Sequence, residues 1–559
     1  MSETFSLLNE PWIQCRTVSN ETVLVGIRQV FDGSCAIREI RGDSPTQDFA
    51  VLRVLLAIFW RAHGSAVDFG RDPDFEFEEW FIDAFEAAAT NSTDDVVLTY
   101  LENYVHRFDL LSPTEPFMQV ADLHTNSGRH DTIRRIVPEA EGDFFTMRSG
   151  AGTQSLSFAE AARWLIHTQA YDYSGIKSGA VGDPRVKSGR GYPIGPGWSG
   201  MIGGTIVHGT NLRQTLVLNT VREAITATRG RDDDHPVWER EPDTATQREL
   251  PTAKGITPHG PADLATWQSR RMRLFTEGDR VTGVLVSNGD QIPEAGANVM
   301  ADPMTPYRFS KNKSKTNYDV YYPRRHESPQ TAWRALEPLI CLAGDTELPR
   351  KEKSSKRPTT LTSLAHLRHS NPELPALVDI QLVSVSYGSQ AAVITGTANA
   401  TLEIYLDILN ESETQTRIQV LDAVRDTQEA CIALGAFAGQ LKVAAGGDYE
   451  FDATVKDQCL LDLENSFISW IATVTPANAS EMIGHWQKHV FGVVMDTART
   501  LLRGVGTRAL IGTEVEGSGH NARKRFVCAG TLIDALERKL HGILPHAHQK
   551  TTPEGGKDE

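Results

Sequence analysis

Beyond about residue 400 the chain changes character. Ala-, Leu- and Glu-rich segments follow one another at roughly 412–444, 453–474, 479–503 and 521–542, separated by breakers at Gly446-Gly447, Pro476-Ala477-Asn478 and Gly504 to Gly519. Four amphipathic segments joined by mostly short loops predict an up-down helical bundle, because each must bury its apolar stripe against the others. Leu460, Leu461, Leu463, Phe467, Ile468 and Ile471 recur at helical spacing and are expected to line its core. Trp470, Met482, Trp486 and Met495 read as core side chains rather than a cofactor box.

Before that point, strand-like and helical pieces alternate with Gly, Pro and charged loops. A chain of 559 residues exceeds what one hydrophobic core supports. The fold class expected is therefore α+β: a large mixed α/β N-terminal domain, residues 1–400, followed by an all-α C-terminal four-helix bundle with a polar tail, residues 401–559. In the first part, Phe5 to Ile13 reads as a strand-like start, about 47–63 as an apolar helix, and 155–170 as an amphipathic one. The polar stretch 222–262 reads as a surface excursion.

The thirty residues Gly175 to Gly204 hold ten glycines interleaved with Lys177, Arg185, Lys187 and Arg190. Glycine removes the side chain that keeps another molecule from the main chain, and the added positive charge points to an anion such as a phosphate backbone or nucleotide. A loop this long is uncommon in a compact domain unless it binds something or is disordered. Tyr192, Trp198 and the β-type run Gly203-Gly204-Thr205-Ile206-Val207 argue for order. Tight turns in a surface loop are the competing explanation.

Net charge is −16, which argues against a protein that coats nucleic acid indiscriminately, so any such contact is expected to be local. Two basic clusters could supply it. One runs from Arg308 through Lys311, Lys313 and Lys315 to Arg324 and Arg325, with Tyr307, Tyr318, Tyr321 and Tyr322 interleaved; the other is Arg350, Lys351, Lys353, Lys356 and Arg357. Six scattered cysteines with no CxxC pair fit a reducing cytoplasm without structural zinc. The N-terminus lacks signal-peptide features and no run is expected to span a membrane. HExxH, GxSxG and Walker A patterns do not occur, so neither an enzyme activity nor a cofactor or metal is expected.

The opening LLNEPWI, the segment Pro116-Phe117-Met118-Gln119, the loop closing in Gly200-Met201-Ile202-Gly203-Gly204-Thr205, the turn Tyr387-Gly388-Ser389-Gln390 and the terminal helices together resemble the CasA family, in the same order along nearly the whole chain. That family supplies the large subunit of the type I-E CRISPR surveillance complex, Cascade. The resemblance implies a non-catalytic cytoplasmic subunit whose partners are the other Cascade subunits and guide RNA, double-stranded target DNA, and the CRISPR helicase-nuclease. Its implied role is to read the protospacer-adjacent motif and help open the duplex beside it.

Carried over residue by residue, the resemblance implies that Gly195, Pro196 and Gly197, followed by Trp198, approach the motif from the minor groove, where a degenerate code suits close backbone contact. It implies that Gly388, Ser389 and Gln390 form a wedge at a hairpin tip between Ile380–Ser386 and Ala391–Thr395, with Gln390 filling the space left by a displaced base. It implies an aromatic contact from Phe144 or Phe145, the latter favoured, since a ring stacks on any base face. The family's minor-groove lysine has no counterpart: no lysine lies between Lys254 and Lys311, and Asn288 or Gln291 is the expected substitute donor. Two other classes remain open: a nucleic-acid-processing enzyme whose site is assembled from distant residues, and a purely structural assembly subunit.

Overall fold

The structure is a computed structural model that describes residues 4–67, 75–138, 152, 154–226, 234–248, 255–326, 332–342, 344–345, 352–515 and 525–548. It divides into two compact units, Met1–Gln330 with Leu348–Thr401, and Thr331–Glu347 with Leu402–Glu559. Helix and strand are mixed in the first, so the chain is α+β as its sequence pattern implies.

The first unit is organised on the helix Pro45–Ala66. Ser44 caps it by accepting from the Gln47 amide, and Pro45 fills the first helical position, where a missing N–H costs nothing. Its length and apolarity would allow a membrane crossing, contrary to the expectation from sequence, yet most of it is buried inside this unit. It is a core helix, packed against Phe158–Tyr171 and Pro261–Ala265. Phe5 to Ile13 is not a strand: an isolated bridge at Ser6 leads into turns, and the first strand is Ile13–Thr17, flanked by Thr22–Val25 and Ile37–Ile40. The apolar character there comes from packing, since Leu7, Leu8 and Trp12 are buried and Trp12 donates to the Leu7 carbonyl at 2.8 Å.

Two antiparallel hairpins frame the rest. Arg270–Glu277 pairs with Arg280–Asn288, and Leu377–Tyr387 lies between Ile394–Tyr405 and Gly204–His208. A shorter hairpin joins Tyr307–Phe309 to Tyr321–Pro323. Within 222–262 the described residues do not form a surface excursion. Asp234, Gln247 and Trp238 are buried, and Arg248 pairs with Asp263 at 2.9 Å and with Asp290 at 2.6 Å. Opposite charges that satisfy one another can be buried, which a reading of polarity alone does not foresee.

In the second unit, Thr414–Ala444 packs on Ala453–Ile471, Ala479–Arg503 and Ala529–Ile543. Trp470 and Trp486 stack at 5.2 Å between ring centres, and Trp486 donates to Thr427. Leu460, Leu463, Phe467 and Ile471 are buried as expected, whereas Leu461 is 51% exposed because it lies off the buried face. The last helix starts at Ala529, later than its sequence suggests, after the short strand Arg525–Val527. The helix Ala332–Ile340 belongs to this unit, and the buried pair Arg417 and Asp345, 2.8 Å apart, holds the following residues to it.

Candidate functional site

The glycine-rich segment leaves the helix Phe158–Tyr171, forms a two-residue ladder between Lys177–Ser178 and Arg190–Gly191, makes the helical turn Trp198–Met201, and joins the strand Gly204–His208. Its two turn glycines have different reasons to be glycine. Gly195 has φ +99°, and a Cβ there would face open space. At Gly197 a Cβ would lie 2.4 Å from the Ala170 carbonyl oxygen. Gly195 thus keeps open the side where a side chain would stand, while its carbonyl accepts from Arg270 at 2.9 Å, and Gly197 permits the chain to pack against its own helix.

The segment's cations also divide. Lys177 is buried and pairs with Asp172 at 3.2 Å; Arg185 pairs with Asp183 at 3.0 Å and donates to the Gly289 carbonyl. Neither is offered to an incoming anion, which corrects the expectation from charge alone. Lys187 and Arg190 are exposed. Asp172 collects three cations: Arg270 at 2.5 Å, Arg135 at 2.8 Å and Lys177. Burial raises the Asp172 pKa, but these neighbours outweigh it and hold the carboxyl well below its usual range. Burial pushes the Lys177 ammonium down to about 7, against the pull of Asp172.

Two expected DNA contacts are internal. Trp198 is buried and its Nε1 donates to Asp302 at 2.6 Å, while Arg53 binds the same carboxylate at 2.7 Å. Asn288 is buried too, its Nδ2 donating to the Tyr192 carbonyl at 2.6 Å. Both brace the glycine segment and cannot be groove donors in this conformation. Gln291 is half-buried, and its backbone carbonyl accepts from the Ile256 amide. Phe144 and Phe145 lie outside the described residues.

The second hairpin ends in the turn Ser389–Ala391, with Ser389 and Gln390 exposed and Gly388 half-buried. Gln390 has φ 55° and Ala391 φ 52°, a left-handed pair without glycine. The turn is held from inside by Gly388 N to Val393 O at 2.9 Å and from outside by Ser174 N to Ala391 O at 2.7 Å. The glycine segment and the hairpin tip, more than 180 residues apart in sequence, are therefore hydrogen-bonded neighbours.

Between them opens a cleft of about 620 Å³, lined by Pro196, Met201, Tyr387 and the three arginines Arg308, Arg324 and Arg325. Arg308 and Arg325 are exposed, and the Arg325 guanidinium lies 5.7 Å from the Tyr387 ring centre. His326 at its floor is buried, which lowers its pKa to about 4 and keeps it neutral. The described parts of the two basic clusters are neighbours, since Tyr307 and Lys356 exchange backbone hydrogen bonds at 2.8 Å, although Arg357 is buried. The sequence flagged both clusters but carried no signal for their partner, because Arg308 and Pro196 meet only through the fold. The arrangement can hold an extended polyanion along the arginines, with uncluttered backbone at Gly195 and an exposed amide at Gln390.

The model of the CRISPR-associated protein Cse1 family matches residues 6–497. This chain belongs to that family. A crystal structure of Thermobifida fusca Cse1 is 35% identical, with TM-score 0.82 over 97% of this chain and 98% of that one. The CRISPR-associated protein CasA/Cse1 of Thermus thermophilus is 28% identical over 346 residues, a match spanning 60% of this chain and 60% of that relative's length. A chain of a structure described as a CRISPR RNA-guided surveillance complex shares the fold at 16% identity, with TM-score 0.67 over 96% of this chain and 99% of that one. The resemblance to CasA read from the sequence is thereby borne out.

Proposed function

We propose that this chain is the DNA-reading, non-catalytic subunit of a CRISPR RNA-guided surveillance complex. In this reading it recognises the protospacer-adjacent motif in duplex DNA, promotes opening of the adjacent base pairs and R-loop formation, and recruits the helicase-nuclease. Membership of such a complex is drawn from the Cse1 family and from the complex whose chain shares the fold. The observation that carries the DNA-reading role is the convergence of the open Gly195 turn, the exposed Ser389-Gln390 tip and the Arg308, Arg324 and Arg325 cleft.

Each part has a physical task. The arginines track phosphate, which positions the duplex without reading it. The Gly195-Pro196 backbone meets the minor groove, where a side chain would hold the surfaces apart. Gln390 enters when the first pair opens, and guide RNA then supplies the sequence-specific pairing. With a net charge of −16 the free chain should hold DNA weakly. Binding of the reconstituted complex, with and without this chain, to duplexes differing only in the motif tests the reading. Motif discrimination that disappears without the chain is expected, and discrimination that persists would leave it a structural subunit. Hydrolysis of nucleic acid by the purified chain would favour the enzyme alternative.

A further inference from the structure

The hairpin tip and the glycine turn are both fastened to the same four residues, Tyr171 to Ser174. The Tyr387 hydroxyl, at the base of the tip, donates to the Tyr171 carbonyl at 2.7 Å, and the Ser174 amide donates to the Ala391 carbonyl at 2.7 Å. On the other side, the Gly197 amide donates to the Asp172 carbonyl at 3.0 Å. Arg270, bound through Nε to the Asp172 carboxylate at 2.5 Å, donates through Nη2 to the Gly195 carbonyl at 2.9 Å. Pro196 is thus bracketed by two bonds that lead to Asp172.

The segment between these attachments has little freedom to absorb a displacement. The Asp172 carboxylate is clamped by Arg135 as well as Arg270, and the Tyr173 ring lies 4.8 Å from the Arg135 guanidinium and 4.0 Å from the Lys177 ammonium. Buried, fully paired charges of this kind switch between discrete arrangements rather than flexing continuously. Asp172, which accepts from the Gly197 amide, lies between Tyr171 and Ser174, the two residues that hold the tip.

We propose that Tyr171–Ser174 is a coupling strut, with Asp172 and Arg270 as positioning residues, that makes engagement of the glycine turn set the orientation of the Gln390 tip. This rests on the DNA-reading role proposed above. Motif recognition and duplex opening are then linked inside this chain, before the guide RNA pairs. Spatial connection alone does not establish coupling, so the test must measure it.

The experiment is a double-mutant cycle on R-loop formation rates in the reconstituted complex, using Gly195→Ala, Gln390→Ala and both together on one fully paired target. Coupling predicts a double-mutant defect at least about threefold smaller than the product of the two single defects, because either change already uncouples turn from tip. The same cycle in a Tyr387→Phe background, which removes one strap and keeps the ring, should approach the simple product. Asp172→Asn should behave likewise, and Tyr387→Phe keeps the test valid if that variant folds poorly. Two single defects that multiply in the wild-type background would overturn the strut while leaving the DNA-reading role intact. Single variants that both open DNA at the wild-type rate would remove the DNA-reading role and the strut with it.

Discussion

Gly197 lies so close to Ala170 that a single added carbon would stand 2.4 Å from the Ala170 carbonyl oxygen, whereas two residues earlier the same carbon on Gly195 would meet nothing within 4 Å. The glycine turn therefore has a packed side and an open side. Its two glycines should respond differently to the same substitution.

Gly197→Ala is expected to lower folding stability by about 1–3 kcal/mol through overpacking. Gly195→Leu should cost about 1–3 kcal/mol from its positive φ alone, and its larger effect should be weaker target binding by a complex that is still assembled. Thermal denaturation of the free chain and duplex binding by the complex separate the two. A Gly195→Leu complex that binds target as tightly as wild type would remove the turn from the interface.

In the proposed role the arginine cleft meets DNA through phosphate rather than through the groove, and salt dependence tests this. Arg308→Gln, Arg324→Gln and Arg325→Gln should each weaken binding to target duplexes by similar factors whatever the motif, and reduce the slope of log affinity against log salt by about 1 for every phosphate that is no longer neutralised. Titrations at several salt concentrations on motif and scrambled duplexes check this. An unchanged slope in all three variants would mean that the cleft does not track phosphate.

Two buried histidines make stability depend on pH. His167 and His326 are both held to a pKa of about 4 by burial, against an ordinary 6.5. Between these values the unfolded chain binds the proton and the folded chain does not, so stability rises with pH through this window and is lost as pH falls from 6.5 towards 4. Each histidine can contribute up to about 3 kcal/mol of that loss. Denaturant unfolding at pH 7.0, 5.5 and 4.5 should show the trend, and His167→Gln, which keeps a polar group near Thr46, should flatten it. A slope unaffected by this substitution would remove His167 from the titrating groups.

Helices and strands were legible where local rules act alone. The Pro45–Ala66 helix was legible as a continuous apolar run and Phe158–Tyr171 as an amphipathic one, and Ser44 and Ser157 cap them in the structure. The hairpin around Gly388 to Gln390 was legible from the β-like runs on either side, although Ala391 belongs to the turn and the second strand starts at Ile394. What could not be read was the destination of polar side chains in loops. Trp198 and Asn288 stand beside glycines and turns, where exposure is the natural expectation, yet Asp302 and the Tyr192 carbonyl draw them inward from more than 90 residues away. Lys177 looks like a free cation until Asp172 is placed beside it. Partner identity across such separations is set by tertiary packing, and periodicity is blind to it.

The Gln390 tip provides a separation in time rather than in space. Its side chain is exposed and its backbone is strained into a left-handed conformation, and the proposed role has it enter an opening duplex rather than read a closed one. Motif contacts form on paired DNA, whereas a wedge acts only when the first adjacent pair breaks, at a cost of a few kcal/mol. Gln390→Ala, and more strongly Gln390→Ala with Ser389→Ala, should therefore leave initial binding to motif duplexes nearly unchanged while slowing R-loop formation. The defect should shrink on a target whose first base pairs beside the motif are mismatched in advance, because the step that the wedge assists has already been made. Stopped-flow measurement of R-loop formation on paired and pre-opened targets makes the comparison directly. A defect of equal size on both would mean that Gln390 is an ordinary contact, and that the turn at Gly388 to Ala391 serves the fold of the hairpin rather than the opening of DNA.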